Sequence, residues 1–345
     1  MTVYFTPWDT QKNLMKEAEL LYDEADTFNC IAKGDLVAIK LHVGELGNPH
    51  YVQPFFVHEI IRKVKEAGGK PFLTDSTTYY RAHRNNAYDH MLNALQHGFN
   101  MAPFIVADGL RGENYRTVQT KGILNEIEVA GAIAEADAMI VVTHVKGHEL
   151  AGFGGAIKNL GMGCASQAGK LRQHRTIDLE IDESKCIGCG KCNETCEMHL
   201  PEIIGDKARI FSPKCMRCPF CQSACSTGAI KLLHQDLVLK ALASAAYGVL
   251  STFKPKKLSY VSFAKDITQY CDCRPNPGDV TMKDLGIFAS DSPVSIDGAF
   301  LKMADYKIFN EAYNVDCTLQ VREALHLGIK GDIKPIIQTV KRDDS

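Results

Sequence analysis

Apolar and polar positions follow a strand, loop and helix order that recurs on both sides of a cysteine-rich segment. The apolar run 36–41 predicts a buried strand, and residues 52–67 carry apolar side chains at helical spacing before Gly68 and Gly69 end the helix. Other runs predict strands at 71–74, 104–106, 138–143, 258–264 and 285–290, and helices at 128–136 and 237–250. Such alternation predicts an α/β fold with a largely parallel sheet and helices on its faces.

The cysteine-rich segment contains one four-cysteine pattern twice. The pattern Cys-x2-Cys-x2-Cys-x3-Cys begins at Cys186 and begins again at Cys215. Three thiolates at steps of three residues can reach three corners of one iron–sulfur cubane, whereas the fourth cysteine of each run ligates the other cluster. The spacing predicts two 4Fe–4S clusters, with cluster I bound by Cys186, Cys189, Cys192 and Cys225, and cluster II by Cys215, Cys218, Cys221 and Cys196.

Zinc ions and disulfides explain this pattern less well. Zinc sites usually take cysteines as separated Cys-x-x-Cys pairs, and a third cysteine at the same step has no obvious use around two tetrahedral ions. The run Cys225-Ser226-Thr227-Gly228-Ala229-Ile230 resembles the Cys-Pro-x-Gly-Ala-Ile of bacterial two-cluster ferredoxins, although Ser226 replaces the proline. This resemblance covers about residues 178–233. It implies a small α+β ferredoxin-like domain inserted between residues 1–177 and 234–345, which would form the two parts of the α/β domain.

The composition is that of a globular protein, with 345 residues, 45% hydrophobic residues and a formal net charge of −2. The near-neutral charge and the lack of a basic run argue against nucleic-acid binding. The most apolar stretch, 237–253, contains Lys240 and falls short of a membrane span. No signal peptide is evident at the N-terminus, so we expect a cytoplasmic location, and thirteen cysteines then indicate metal or redox chemistry in a reducing or anaerobic setting.

Polar side chains of reactive types follow the predicted strands. Ligands of open parallel sheets bind beyond the carboxyl ends of the strands, so we expect all of these strand ends to point toward one site. The residues are Lys40, His42, Glu45 and His50; Asp75, Ser76, Thr77, Tyr79, Tyr80 and Arg81; His144, Lys146 and His148; Lys265, Asp266, Cys271 and Cys273; and Asp291 and Asp297.

Several of these residues also have structural explanations. Glu45, Thr77 and Asp297 are expected to form turns or helix N-caps. Cys271 and Cys273 can clamp one soft ion, with Asp266 and Asp291 as further ligands of an extra metal, or can be inert buried thiols. The isolated Cys30, Cys164 and Cys317 are expected to be core thiols.

The glycine-rich run that starts at Gly152 does not match a dinucleotide fingerprint. Ile157 stands where a third Gly or Ala is needed. The run nevertheless predicts a loop whose backbone can approach a ligand, followed by Lys158 and Asn159 at the start of a helix. A carboxylate or phosphate is the expected ligand there, and a simple glycine-rich connection is the alternative.

A family resemblance covers most of the chain. Its motifs are Ile39-Lys40-Leu41-His42, Thr74-Asp75-Ser76, His144-Val145-Lys146-Gly147-His148, the run 155–163, Cys271-Asp272-Cys273 and the run 289–294. They resemble the DUF362 family of iron–sulfur proteins. The resemblance implies a two-cluster ferredoxin module inside an α/β domain of uncharacterised activity.

The leading hypothesis is an oxidoreductase in which two clusters relay electrons from an external ferredoxin or reductase to a polar site. In that site, His42, Asp75, His144 and His148 are the predicted catalytic residues, and Lys40, Lys146, Lys158 and Asn159 would bind a small anionic substrate. No motif requires a flavin. The alternative is a non-enzymatic ferredoxin-type electron carrier or a metallocofactor-handling protein, although a plain carrier would not need so large an additional domain.

Overall fold

A computed structural model describes residues 1–340 of the chain. Its strands are β1 (Thr2–Pro7), β2 (Leu36–Lys40), β3 (Lys70–Asp75), β4 (Phe104–Val106), β5 (Tyr115–Gln119), β6 (Glu126–Ala130), β7 (Ala138–His144), β8 (Lys146–His148), β9 (Gly152–Gly154), β10 (Asp178–Ile181), β11 (Glu202–Ile204), β12 (Lys207–Arg209), β13 (Ile230–Leu233), β14 (Leu258–Ala264), β15 (Gly286–Ser290) and β16 (Ile336–Thr339). Its helices are α1 (Leu14–Glu24), α2 (Pro54–Glu66), α3 (Ala87–Gln96), α4 (Gly131–Ala134), α5 (Ala156–Gly161), α6 (Gln167–His174), α7 (Lys191–Thr195), α8 (Phe220–Ser223), α9 (Gln235–Leu250), α10 (Pro293–Met303), α11 (Lys307–Tyr313) and α12 (Leu319–His326).

The large sheet has the strand order β16-β1-β15-β14-β7-β2-β3-β4. The run from β14 through β7, β2 and β3 to β4 is parallel throughout, so its carboxyl ends share one edge. Within residues 1–340, β15 is the only strand of this sheet that is antiparallel to both of its neighbours, β14 and β1. The α/β fold with a largely parallel sheet is confirmed, but the expectation that β15 ends at the same edge as the other strands is wrong.

Two apolar layers cover the faces of the sheet. In β2, Val37 and Ile39 pack with α1 and α2, whereas Ala38 points to the layer that contains α5 and α9. Side chains of a strand alternate between the two faces, and each fully buried aliphatic side chain contributes about 1.5–3 kcal/mol. Burial on both faces explains why these strands are continuous apolar runs in the sequence.

Residues 128–136, predicted to be helical, begin instead at the end of a strand. Ile127 and Val129 lie in β6, which pairs antiparallel with β5, and only the one-turn helix α4 follows. The alternation of apolar residues in this strand has a period of two, and the partner strand satisfies its backbone hydrogen bonds. Helix α9 contains the whole of the predicted 237–250 stretch, begins two residues before it, and is mostly buried. Within residues 1–340, no helix is both long enough and apolar enough to cross a membrane.

The cysteine-rich segment leaves the α/β part of the chain and returns to it at neighbouring positions. Strand β10 pairs antiparallel with β13, with Asp178 opposite Leu233 and Ile181 opposite Ile230. Between these strands lie the hairpin of β11 and β12 and the short helices α7 and α8. The segment has an apolar cluster of its own, to which Cys192 and Cys221 contribute.

Candidate functional site

A cavity of about 130 Å³ lies at the carboxyl edge of β2, β3 and β7. Strand ends, β8 and α5 supply part of its wall, and the remainder comes from the loop after β3, from α6, and from Met216 and Cys273. The cavity brings together all of the residues that the sequence predicts as catalytic or substrate-binding: Lys40, His42, Asp75, His144, Lys146, His148, Lys158 and Asn159. The structure thus places them around one space, and their roles remain predictions.

A buried ion pair forms one wall of the cavity. Lys40 Nζ lies 3.0 Å from Asp75 Oδ1 and donates a hydrogen bond of 2.8 Å to Asn159 Oδ1. Asn159 in turn donates to the carbonyl of Val142 at the end of β7. Burial opposes ionisation of Asp75, but Lys40 and other nearby cations outweigh it and lower the pKa of this carboxyl. Asp75 is therefore an ionised partner that positions Lys40.

A second carboxylate, Asp272, holds two residues of the opposite wall. Its Oδ1 lies 2.8 Å from His144 Nδ1, and its Oδ2 lies 2.9 Å from Lys146 Nζ. The other ring nitrogen of His144 lies 2.7 Å from the carbonyl oxygen of Lys265. Both partners of the ring are acceptors, so both hydrogen bonds form together only when both nitrogens carry a proton. Burial opposes ionisation of Asp272, but His144 and Lys146 lower its pKa to about 2.

Two further histidines present proton-bearing nitrogens. His42 Nδ1 accepts a hydrogen bond from the backbone N–H of Gly44, and His148 Nδ1 accepts from the N–H groups of Leu150 and Ala151. Burial, together with nearby cations such as Arg84 for His42 and Lys158 for His148, lowers the pKa of both imidazoles well below the usual range. Each ring is therefore neutral and carries its proton on Nε2.

Lys158 is the least compensated cation of the cavity. Among the described residues, its ammonium group makes no hydrogen bond or ion pair. Burial, and then the positive charge of Lys146, lowers the pKa of Lys158 to about 7. A ligand that brings negative charge would relieve both effects. Because Arg84 and Lys170 also line the space, the cavity suits a small anion rich in oxygen acceptors.

The backbone amide groups at the start of helix α5, which the glycine-rich run predicts as ligands of an external anion, already donate to a carboxylate of the protein. The backbone N–H groups of Ala156 and Ile157 donate to Asp297 Oδ1 and Oδ2 at 2.7 and 2.9 Å. Asp297 thus caps α5 from α10. A Cβ atom at Gly155 would lie 2.3 Å from Asp297 Oδ1, so this glycine is needed for the close approach of the carboxylate.

The residues predicted to hold an extra metal are not grouped as metal ligands. Cys271 and Cys273 are bonded to each other in a disulfide, and Asp266 pairs with Lys265. Asp291 follows the antiparallel strand β15, is mostly exposed, and lies 3.8 Å from Lys330. No three His, Cys, Asp or Glu side chains within residues 1–340 are arranged to hold a metal ion. The prediction of one site built from all four residues is therefore wrong in its geometry.

The eight cysteines of the repeated pattern lie around two small cavities. One cavity is lined by Cys186, Cys189, Cys192 and Cys225. The other is lined by Cys196, Cys215, Cys218 and Cys221. These are the two sets that the sequence spacing predicts. In a cubane each thiolate binds its own iron, so four such sulfurs surround a space and do not converge on one point as the ligands of a single ion do.

The cysteine cavities have features that suit iron–sulfur clusters. The backbone N–H of Ala208 donates to Cys186 Sγ at 3.3 Å, and that of Arg217 donates to Cys215 Sγ at 3.4 Å. Hydrogen bonds to ligand sulfurs are one of the means by which proteins tune cluster potentials. Tyr80 and Met216 line both the second cysteine cavity and the polar cavity, which makes the two spaces neighbours.

Several residues of the polar cavity are not predicted by the sequence patterns. Arg84 lies near the far end of the loop that follows β3, and Lys170 and His174 belong to α6. Asp272 lies 128 residues from His144 in the sequence, between two cysteines that are themselves candidate metal ligands. The position of Asp272 inside the Cys-x-Cys motif is a signal that could have identified it, because a charged residue beside a cysteine that is expected to be buried requires a partner.

Comparisons with known proteins place the chain in a family and relate it to a ferredoxin. The model of a family described as "Domain of unknown function (DUF362)" matches residues 37–302. An uncharacterized ferredoxin of Methanocaldococcus jannaschii is 42% identical over 57 residues, which are 16% of this chain and 92% of that protein. An uncharacterized protein of the same organism is 40% identical over 52 residues, or 15% of this chain and 20% of that protein. The similarity to a ferredoxin supports iron–sulfur binding.

Two solved structures align with most of this chain at low sequence identity. A Thermotoga maritima protein from a structural genomics consortium aligns with a TM-score of 0.41 and 14% identity, over 92% of this chain and 61% of that chain. The lactate racemase apoprotein from Thermoanaerobacterium thermosaccharolyticum aligns with a TM-score of 0.35 and 14% identity, over 84% of this chain and 53% of that chain. This chain therefore spans less than two thirds of either solved protein.

Proposed function

Because the chain belongs to the DUF362 family, which is described as a domain of unknown function, we propose a function from the geometry of its cavities. The protein is an oxidoreductase with two 4Fe–4S clusters bound by an inserted segment, residues 178–233. The clusters pass electrons from an external redox partner to the polar cavity, where a small oxygen-rich anion is the substrate. This segment divides the α/β domain into a first part, residues 1–177, and a second part that begins at residue 234.

The shared wall between the cavities is the observation that carries this proposal. Tyr80 and Met216 contact both the space enclosed by Cys196, Cys215, Cys218 and Cys221 and the space lined by the lysines and histidines. A cluster in the first space would therefore be adjacent to a ligand in the second. A simple electron carrier has no need for a donor-lined cavity beside its cluster.

The clusters would be held by the two sets of four cysteines. Cluster I would take Cys186, Cys189, Cys192 and Cys225, and cluster II would take Cys196, Cys215, Cys218 and Cys221. When bound, they supply or accept single electrons. Cluster II is the one adjacent to the polar cavity, so cluster I would receive electrons first from the external partner.

The residues of the polar cavity bind and orient the anion. Lys158 and Lys146 attract its negative charge, and the Nε2–H groups of His42 and His148 donate hydrogen bonds to its oxygens. Asp272 holds Lys146 and His144 in place, so that Lys146 presents a fixed positive charge to the anion. Lys40 is fixed by Asp75 and Asn159, so it contributes a positioned positive charge.

Metal analysis and ligand binding test the proposal in two steps. Protein purified without oxygen should contain about eight iron and about eight sulfide ions per chain. Sulfate, used as a probe anion, should bind at least about tenfold more weakly to Lys158→Met than to the wild type, since a desolvated ammonium is lost. The matched control is Lys330→Met, because Lys330 is 80% exposed and lies away from the cavity.

The same measurements separate the alternative functions. Full iron with unchanged sulfate binding in Lys158→Met would refute the anion site and leave a ferredoxin-type electron carrier. An additional stoichiometric metal besides iron would favour a metallocofactor-handling protein. A chain without iron and sulfide would refute the cluster assignment itself.

A further inference from the structure

The disulfide between Cys271 and Cys273 is next to the polar cavity, and the proposed function gives it no role. We propose that this disulfide is a redox centre, which takes two electrons from the clusters and opens to a dithiol beside the bound anion. The inference rests on the proposed function, because the clusters are its source of electrons. Three observations on the described residues carry it.

The first observation is the position of the sulfur atoms. Cys273 lines the polar cavity, whereas Cys271 is buried behind it with an exposure of 6%. One cysteine is therefore open to a ligand, and the other is shielded from solvent. Attack on a disulfide depends on which sulfur can be reached, so this asymmetry favours a defined site of reaction.

The second observation is that Asp272 holds the pair in place. This residue pairs with His144 and Lys146, and its carbonyl oxygen accepts a hydrogen bond of 2.8 Å from the backbone N–H of Glu45. None of these contacts involves a sulfur atom. The segment is consequently anchored whether the two sulfurs are bonded or reduced, which a centre that cycles between both states requires.

The third observation is contact with the loop of cluster II. The guanidinium group of Arg274, the next residue, lies 4.8 Å from the centre of the Phe220 ring. Phe220 lines the cavity enclosed by Cys196, Cys215, Cys218 and Cys221. Met216 lines this cavity and the polar cavity that Cys273 also lines. The disulfide thus lies on the side of the polar cavity that faces cluster II.

The reaction balances with a one-electron donor as the external reductant. Two electrons, delivered singly through the clusters, break the S–S bond, and two protons taken up through the cavity form two S–H groups. The donor is oxidised twice, and the disulfide is reduced once. The resulting dithiol can then reduce a bound oxyanion by two electrons while the S–S bond forms again. One bond between the central atom of the anion and an oxygen breaks, and this oxygen leaves as water with the two thiol protons. The pair would therefore convert single-electron supply into two-electron chemistry.

A purely structural role explains the disulfide less well. The bond closes a loop of only three residues, and the stabilisation from a crosslink falls as the loop becomes shorter. The segment already has the ion pairs of Asp272 to hold it. Little stability is gained by a covalent link at this position.

Reductive titration of the iron-loaded protein tests the inference. With dithionite as donor, the wild type should take up about four electrons per chain, one for each cluster and two for the disulfide. Cys273→Ser should take up about two, because it keeps the clusters and has no disulfide. Cys30→Ser is the matched control and should take up as many electrons as the wild type. Cys30 is a free thiol that lines neither the polar cavity nor the two cysteine cavities.

Thiol alkylation gives a second readout that does not depend on the variants. The peptide that contains Cys271 and Cys273 should carry no alkyl group before cluster reduction and two afterwards, as read by mass spectrometry. A chain without iron would refute the proposed function and this inference together. An iron-loaded chain in which the pair is already alkylated before reduction, or stays bonded after it, would overturn the inference alone.

Discussion

Replacement of Asp272 by asparagine should destabilise the protein strongly, although the change removes only one charge. Asp272 is fully buried and contacts His144 at 2.8 Å and Lys146 at 2.9 Å. In Asp272→Asn, the Lys146 ammonium and the His144 ring stay in a cavity that already contains other positive charges. The amide can still accept one hydrogen bond, but it cannot balance the charge of Lys146.

The expected loss follows from the pKa of the carboxyl. A pKa of about 2 in place of 3.8 corresponds to about 2.4 kcal/mol of stabilisation at neutral pH, since each pKa unit is worth about 1.36 kcal/mol. Removal of one partner of a buried ion pair generally costs about 3–5 kcal/mol. We therefore expect a decrease of about 2–4 kcal/mol in the free energy of unfolding.

Anaerobic urea unfolding, followed by circular dichroism at matched iron content, measures this difference. Asp279→Asn is the control, because it removes an exposed carboxylate from the same loop and should change the stability by less than about 0.5 kcal/mol. The folded-state pKa of Asp272 is lowered, so its contribution is present above about pH 4 and is lost as the pH falls toward 2. The two proteins should therefore become more alike in that range. A difference below about 0.5 kcal/mol at pH 7 would refute the reasoning.

Three further predictions concern other parts of the site. Sulfate affinity of the wild type should fall by up to about tenfold per pH unit above 7, because Lys158 loses its proton in the free protein, and calorimetry should find a flatter dependence in Lys158→Met. Gly155→Ala should lower the stability by about 1–3 kcal/mol in thermal melting, since the added Cβ would overlap Asp297. The control is Gly154→Ala, which should lower the stability less, because its Cβ would meet nothing nearer than 3.4 Å. Equal effects of the two substitutions would contradict this explanation. Cys225→Ser should retain about half of the wild-type iron, and full iron content would exclude it as a ligand of cluster I.

The sequence allowed much of the site to be predicted, because side-chain type and strand position are both local information. Lys40, Asp75 and His144 each follow an apolar run, and parallel strands bring such ends to one edge. The grouping of the cysteines likewise followed from their spacing. An apolar run does not show in which direction its strand pairs, so the antiparallel β15 and the position of Asp291 could not be inferred.

The residues that were missed depend on contacts that are distant in the sequence. Asp272 meets His144 across 128 residues, and Asp297 meets the start of α5 across more than a hundred. Hydrophobic periodicity carries no information about such pairs. The same limitation explains why the sequence predicts an anion site at the start of α5. Nothing near Gly155 in the sequence indicates that a carboxylate of α10 already accepts from the amide groups of Ala156 and Ile157.

The antiparallel pair of β10 and β13 allows the segment between these strands to unfold separately from the large sheet. Because the segment between them begins and ends at adjacent points, it can lose its order while the strands of the large sheet keep all of their partners. If the proposed clusters are present, we expect oxygen damage to them to unfold this segment alone. The α/β part would then stay folded while the segment is unfolded. The segment could refold around new clusters, so the loss of a cofactor would be reversible for the protein as a whole.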